Sequence, residues 1–71
     1  MSLPHAILTA LLEKPGSGAE LTRRFDRSFG FFWPATHQQI YRELAKLERD
    51  GLVSSAGRDG SRGRAKDYRV L

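Results

Sequence analysis

Amide and cationic side chains recur along one side of the helix predicted between Thr36 and Asp50. At about 100° per residue, Leu44 and Leu47 lie close to Ile40 and define an apolar face. Glutamine can pair bidentately with adenine and arginine with guanine in the major groove, while lysine neutralises phosphate. Any amphipathic surface helix also presents a polar face to solvent, and the face alone favours that interpretation. The side opposite Ile40 consists of Gln38, Arg42, Ala45, Lys46 and Arg49.

Other polar residues of this helix lie outside the polar face or reduce its positive charge. His37 and Tyr41 fall on the flank between the apolar and polar faces. Glu43 and Glu48 are candidate ion-pair partners of Lys46, Arg42 or Arg49, and Glu43 precedes Lys46 at the i, i+3 spacing. Such ion pairs would reduce the positive charge available to a nucleic acid.

A second group of cations lies in the glycine-rich stretch after this helix. From Gly57 to Arg69, five basic residues stand against Asp59 and Asp67, which is a net +3 of the chain's total of +4. Such a loop can follow a phosphate backbone or enter a minor groove, although a basic loop can also be only a solvated surface. Because the loop directly follows the polar helix, the two together favour DNA binding. The basic residues are Arg58, Arg62, Arg64, Lys66 and Arg69.

Three helices are predicted to position these residues. The first opens at Pro4 and stops at Lys14-Pro15-Gly16. The second opens with the capping box Ser17-Gly18-Ala19-Glu20 and ends at Gly30, and the third opens with the capping box Thr36-His37-Gln38-Gln39. The predicted buried residues of the first two helices are Leu3, Ile7, Leu8, Leu11, Leu12, Leu21, Phe25 and Phe29, while Arg23, Arg24 and Arg27 point elsewhere.

The end of the chain predicts two strands. An extended run begins at Leu52 and Val53, and a returning strand lies within residues 65–71 with Tyr68 and Val70 on one face. The sequence therefore predicts a mainly α fold with a small β-hairpin: a winged helix-turn-helix of three helices and a two- to three-stranded wing. Its 71 residues allow a single domain spanning 1–71.

Several classes of protein are excluded or disfavoured by composition. The chain has no cysteine and two separated histidines, His5 and His37, so it offers no thiolate or local metal site. No nucleophile motif or phosphate-binding loop occurs, and no apolar run is long enough to span a membrane. We therefore expect neither an enzyme nor a cofactor. Phe25, Phe29 and the run Phe31-Phe32-Trp33 could form a base-stacking platform or a flat-ligand pocket, but a small-domain core is favoured.

Two longer strings make the chain resemble a known family. The first, W-x-x-x-H-x-Q-I-Y-x-E-L, runs from Trp33 to Leu44, and the second, L-x-x-D-G-L-V, runs from Leu47 to Val53. Together with the opening helix from Pro4 and the final Lys66-Asp67-Tyr68-Arg69-Val70, they closely resemble the N-terminal domain of PadR-family transcriptional regulators. The resemblance covers essentially the whole chain.

This resemblance implies a bacterial or archaeal, cytoplasmic repressor that binds a palindromic operator in double-stranded DNA as a homodimer. Some members are released by phenolic acids or other small aromatic effectors. By the same analogy, the residues near DNA are Thr36, His37, Gln38 and Tyr41, with Arg42 at a position where members vary and Arg62, Arg64 and Lys66 in the wing. Trp33, Ile40, Leu44 and Leu47 are implied to be structural.

One departure from the family concerns length. Members of the family continue past the third strand into a helical region that completes the dimer, whereas this chain stops at Leu71. We expect either an excised domain or a short member that pairs through its first helix. A different class of function, a winged helix that serves as a protein–protein or dimerisation module, would use the apolar residues Leu3, Leu8, Leu11 and Leu12.

Overall fold

The helices and strands of the structure follow the predicted order. The computed structural model describes residues 2–28, 35–57 and 66–71. Within these ranges the helices are α1 (Leu3–Glu13), α2 (Gly18–Ser28) and α3 (His37–Arg49), and the strands are β1 (Gly16–Ser17), β2 (Val53–Ala56) and β3 (Asp67–Val70). No helix in these ranges is long and apolar enough to cross a membrane. Predictions made for residues 29–34 and 58–65, including the end of α2 at Gly30 and the environment of Trp33, lie outside the described residues.

The strands form one antiparallel sheet in the order β1-β3-β2, so β3 is central. Tyr68 of β3 lies opposite Gly16 of β1 on one side and Ser55 of β2 on the other. The Gly18 N–H donates to the Lys66 carbonyl at 3.3 Å and thereby continues the β1–β3 ladder. The predicted hairpin is therefore present, and β1 is an addition that the sequence analysis did not assign. A two-residue strand has no periodicity to detect, and only its pairing with β3 defines it.

The core lies where α1, α2, α3 and the sheet meet. Its buried side chains are Ala6, Ile7, Ala10, Leu11, Leu21, Phe25, Ile40, Leu44, Leu47, Val53 and Tyr68. One prediction is wrong, because the side chain of Leu12 is 70% exposed. Leu12 lies about 140° around α1 from Ile7, whereas Ala10 lies about 60° from it and is buried instead. The leucines of α1 cover a wider arc around the helix axis than the other elements bury.

Both predicted capping boxes are confirmed. The Ser17 hydroxyl accepts the Glu20 N–H at 3.0 Å while the Glu20 carboxylate accepts the Ser17 N–H at 3.1 Å. The Thr36 hydroxyl accepts the Gln39 N–H at 3.1 Å, and the Gln39 side-chain carbonyl accepts the Thr36 N–H at 2.8 Å. Each box satisfies two backbone donors that a helix start would otherwise leave unpaired, so local sequence sets where α2 and α3 begin.

The end of α3 turns the chain into the sheet. Gly51 has a φ of 78°, a conformation that side chains with a Cβ rarely adopt. Its N–H donates to the Glu48 carbonyl at 3.1 Å, and the Leu52 N–H donates to the Leu47 carbonyl at 2.9 Å. These two bonds make a Schellman motif, which ends the helix and starts β2.

An arginine of α2 closes the end of α1. The Arg24 guanidinium donates to the Lys14 carbonyl at 2.7 Å and to the Ala10 carbonyl at 2.6 Å. A cation at the carbonyl end of a helix donates hydrogen bonds to the terminal carbonyls and interacts favourably with the helix dipole. Arg24 is thus a structural residue, whereas Arg23 and Arg27 of the same helix are exposed.

A glycine allows α2 and α3 to approach closely. Gly18 is buried at the first position of α2, beside the aromatic ring of Tyr41 from α3. A Cβ at this position would overlap the ring atom Cε1 and would lie 3.3 Å from both Cδ1 and Cζ. The distance between the two helices therefore requires a residue without a side chain here.

We predict that Gly18→Ala lowers the free energy of unfolding by about 1–3 kcal/mol, because the methyl group must displace the Tyr41 ring. Gly16→Ala is the matched control, since a Cβ there would meet the Glu20 side chain at 3.5 Å or more, which is ordinary contact. Urea unfolding followed by circular dichroism compares the variants, and adding Tyr41→Ala to Gly18→Ala should remove the overlap. Equal stability of Gly18→Ala and the wild-type protein would contradict this role.

Candidate nucleic-acid interface

One side of α3 is exposed along its whole length. Ile40, Leu44 and Leu47 are buried and point into the core. The polar face predicted from the sequence is exposed at every position, namely Gln38, Arg42, Ala45, Lys46 and Arg49. The predicted division of this helix into a buried and an exposed side is therefore confirmed.

The first turn of α3 is held by contacts within the protein. The Thr36 hydroxyl and the Gln39 side-chain amide are both engaged in the capping box. His37 Nε2 lies 2.9 Å from Asp26 Oδ2 of α2, although the two side chains are 54% and 59% exposed. This contact joins the start of α3 to α2 with a weak attraction, because both side chains are exposed, and it leaves much of the imidazole accessible.

Tyr41 differs from the other predicted recognition residues. Its side chain is half-buried and packs against Gly18 and the core, on the flank of α3 predicted from the helical angles. The ring therefore contributes to the packing of α2 against α3. Gln38, Arg42 and Lys46 share the exposed side of α3, whereas Thr36 and His37 are exposed at its start, with His37 on the flank that contacts Asp26.

The two glutamates of α3 behave differently from each other. Glu43 Oε1 lies 3.7 Å from Lys46 Nζ, in a pair whose lysine side chain is 52% exposed, so the attraction is weak. The Glu48 carboxylate instead accepts a hydrogen bond from the Ser55 hydroxyl of β2. Within the described residues no ion pair engages Arg42 or Arg49. Among the described residues, the ion pair on the polar face is the one that Lys46 makes.

Glu48 joins the end of α3 to the sheet. An acidic side chain near the carbonyl end of a helix interacts unfavourably with the helix dipole, and the Ser55 hydroxyl compensates for that cost. Ser55 lies opposite Tyr68 in the sheet. Burial raises the pKa of the Tyr68 phenol above its usual value, and the nearby Glu48 and Tyr41 raise this pKa further. The contacts at this junction fix the hairpin strands relative to α3.

The structure describes the predicted wing only at its ends. Lys66 is half-buried and its carbonyl accepts the Gly18 N–H, while Arg62 and Arg64 lie outside the described residues. Arg69 is exposed, and its Nε donates to the Ser54 hydroxyl at 3.2 Å. The strands that carry the wing are therefore placed beside α3 by the sheet and by Glu48.

Sequence reasoning missed two exposed cations. Arg23 and Arg27 are separated by one helical turn of α2, and both are exposed. The sequence analysis grouped them with Arg24 as pointing away from the core and gave them no role. Their i, i+4 spacing was the available signal. Separately, no three His, Asp or Glu side chains of the described residues are grouped so that they could hold a metal ion.

A helix exposed on one side, preceded by a second packed helix and followed by an antiparallel hairpin, defines a winged helix-turn-helix domain. The family model for the transcriptional regulator PadR-like family matches residues 7–70, and the chain belongs to this family. The resemblance stated from the sequence is thereby confirmed.

Relatives of the chain carry names of the same kind. It is 62% identical over 53 residues to the probable transcriptional regulator Rv1176c of Mycobacterium tuberculosis, a match that covers 75% of this chain and 28% of that protein. It is 42% identical over 52 residues to the negative transcriptional regulator PadR of Bacillus subtilis, which covers 73% of this chain and 29% of that protein. The chain thus matches less than a third of the length of either relative.

A solved structure shares the fold. The crystal structure of Bacillus subtilis PadR in complex with operator DNA matches with a TM-score of 0.81 and 36% sequence identity. The match covers 97% of this chain and 40% of that one. The family and the names of these relatives are those of transcriptional regulators.

We predict that Tyr68 makes the stability of the domain sensitive to alkaline pH. Because the folded state holds the phenol proton more tightly, its contribution to the free energy of unfolding is full below the ordinary pKa of 10.0 and is lost as the pH rises through the raised folded pKa. Urea unfolding at neutral and alkaline pH should show a smaller loss of stability in Tyr68→Phe than in the wild-type protein. The same alkaline loss in both would contradict the assignment.

Proposed function

We propose that this chain binds double-stranded DNA sequence-specifically and acts as a repressor, with α3 in the major groove. The observation that carries the proposal is the fully exposed polar face of α3, which an apolar core backs along the opposite side. The structural neighbour is described as a complex with operator DNA, and one relative is named a negative transcriptional regulator. Both descriptions support the same function for this chain.

The residues of α3 have different proposed roles. Gln38 and Arg42 are exposed one turn apart in the first half of the helix, where a recognition helix meets base edges. Lys46 lies one turn further on and is proposed to contact phosphate. Thr36 and His37 lie at the start of the helix, where their contacts to Gln39 and Asp26 hold them in place for DNA. Tyr41 is proposed to reach DNA only with the exposed part of its ring.

The basic segment between β2 and β3 is proposed to bind the DNA backbone or the minor groove. Arg62, Arg64 and Lys66 are the residues proposed for this contact, because they carry charge in a glycine-rich connection between strands that pack beside α3. They supply affinity that depends little on base sequence.

The assembly and its control follow from the same family resemblance and form part of the proposal. Residues 1–71 would be the DNA-binding domain of a cytoplasmic regulator that acts as a homodimer on a palindromic operator, with half-sites about one helical turn apart. A small aromatic effector is a further partner that the resemblance implies. The alternative function as a dimerisation module is weakened, because Leu11 is buried and Leu3 and Leu8 pack against the core, which leaves Leu12 exposed.

We predict that Arg42→Ala weakens binding to the preferred operator by about 1–3 kcal/mol and relaxes the base preference at one position. The operator is found by selecting bound sequences from random duplex DNA. Arg42→Lys is the matched control, because it keeps the charge but loses the bidentate fork, and it should lose base preference while retaining non-specific affinity. An unchanged selected sequence in both variants would remove Arg42 from the reading face.

Neutralising the wing should have a different effect. For the double variant Arg62→Gln, Arg64→Gln, we predict weaker binding to all sequences. The slope of log affinity against log salt should decrease in magnitude by about one for each lost phosphate contact. Anisotropy titrations at several salt concentrations, on the selected operator and on an unrelated duplex, measure both quantities. Salt-insensitive or absent binding by the folded wild-type protein would overturn the proposed function.

A further inference from the structure

We propose that α2 carries a second DNA-binding surface, formed by Arg23 and Arg27, which binds backbone phosphates beside the groove that takes α3. Both side chains are exposed, and they lie about 40° apart around the helix axis, one turn from each other. They therefore form a single basic ridge on the outer side of α2. This inference rests on the proposed function and extends the interface beyond α3 and the wing.

The position of this ridge follows from the contacts of its neighbours. Asp26 of α2 touches His37 at the start of α3, and Gly18 of α2 touches Tyr41 one turn later. One side of α2 is thus occupied by the first half of α3. Arg23 lies one turn before Asp26 and about 60° from it around the axis of α2, and its side chain is exposed. Arg23 therefore lies on the exposed surface next to the contact that joins α2 to the start of α3.

The opposite edge of α2 contacts α1. Arg24 lies about 160° around the helix from Asp26 and reaches the last carbonyls of α1. Leu21, Thr22 and Phe25 are buried between these two edges. The three arginines of α2 therefore have different surroundings: Arg24 is hydrogen-bonded to α1, while Arg23 and Arg27 face outward.

The carboxylates of α2 contact groups other than these two arginines. The Glu20 carboxylate accepts the Ser17 N–H in the capping box, and the Asp26 carboxylate lies on His37. No ion pair to Arg23 or Arg27 occurs within the described residues. Two guanidinium groups that make no ion pair among the described residues, on a helix that crosses beside a groove, match the charge and the forked geometry of phosphate oxygens.

Phosphate is the better match than base edges. In a helix-turn-helix the second helix of the pair fills the major groove and the first crosses the backbone, so side chains on α2 do not reach the base edges that α3 contacts. The two arginines should therefore add affinity and orientation without changing which sequence is preferred. This separates their contribution from that of Arg42.

The test measures the salt dependence of binding for Arg23→Gln, Arg27→Gln and the double variant. The probe is a labelled mixed-sequence duplex of about two helical turns, titrated between about 50 and 200 mM salt. Each lost phosphate contact should reduce the slope of log affinity against log salt by about 0.9, and the double variant by about twice that. The sequence selected from random DNA should stay the same as for the wild-type protein.

Lys14→Gln is the matched control for overall charge. Lys14 is exposed at the end of α1, on the edge of α2 that Arg24 occupies, so its loss removes one charge away from the proposed interface. We expect its slope to equal that of the wild-type protein, and thermal unfolding checks that all variants fold. If the arginine variants keep the wild-type slope, or if their slope is reduced only as much as that of Lys14→Gln, the proposed α2 surface is wrong while the proposed function stands. Absence of wild-type binding overturns both.

Discussion

Burial of the apolar stripe of α3 is the constraint on which the rest of the structure depends. Ile40, Leu44 and Leu47 recur at the helical period and must leave water together, which fixes the rotation of α3 about its axis. The polar side of this 13-residue helix must then face solvent. Its polar residues are displayed because the apolar ones have a partner in α1, α2 and the sheet.

The contacts around α2 determine where that exposed side stands. Gly18 allows the ring of Tyr41 to approach, Asp26 holds His37, and Arg24 binds the carbonyl end of α1. The first two contacts join α2 to α3 and the third joins α2 to α1, so α2 is fixed against both of the other helices. Arg24 and Asp26 make contacts within the fold, whereas Arg23 and Arg27, at neighbouring positions, are exposed.

Local signals allowed much of this arrangement to be predicted from the sequence. Both capping boxes form with the predicted partners, since all their atoms lie within four consecutive residues. The polar face of α3 was also predictable, because periodicity alone determines it. By contrast, the strand at Gly16–Ser17 depends on β3, which is some 50 residues away in sequence. Leu12 was misplaced because the pattern of leucines does not show which part of a broad apolar surface the other elements cover.

The sequence by itself determined the family, the order of the three helices and the hairpin, the starts of α2 and α3, and which residues of α3 face outward. The tertiary structure decided how the charges are used. Position within α3 alone does not show which group Glu48 contacts, and the sheet supplies the Ser55 hydroxyl. Likewise only the packing of α2 against α1 separates Arg24 from Arg23 and Arg27. The physical reason is that hydrogen-bonding partners for a charged side chain come from distant segments, whereas helix starts and faces depend on near neighbours in sequence.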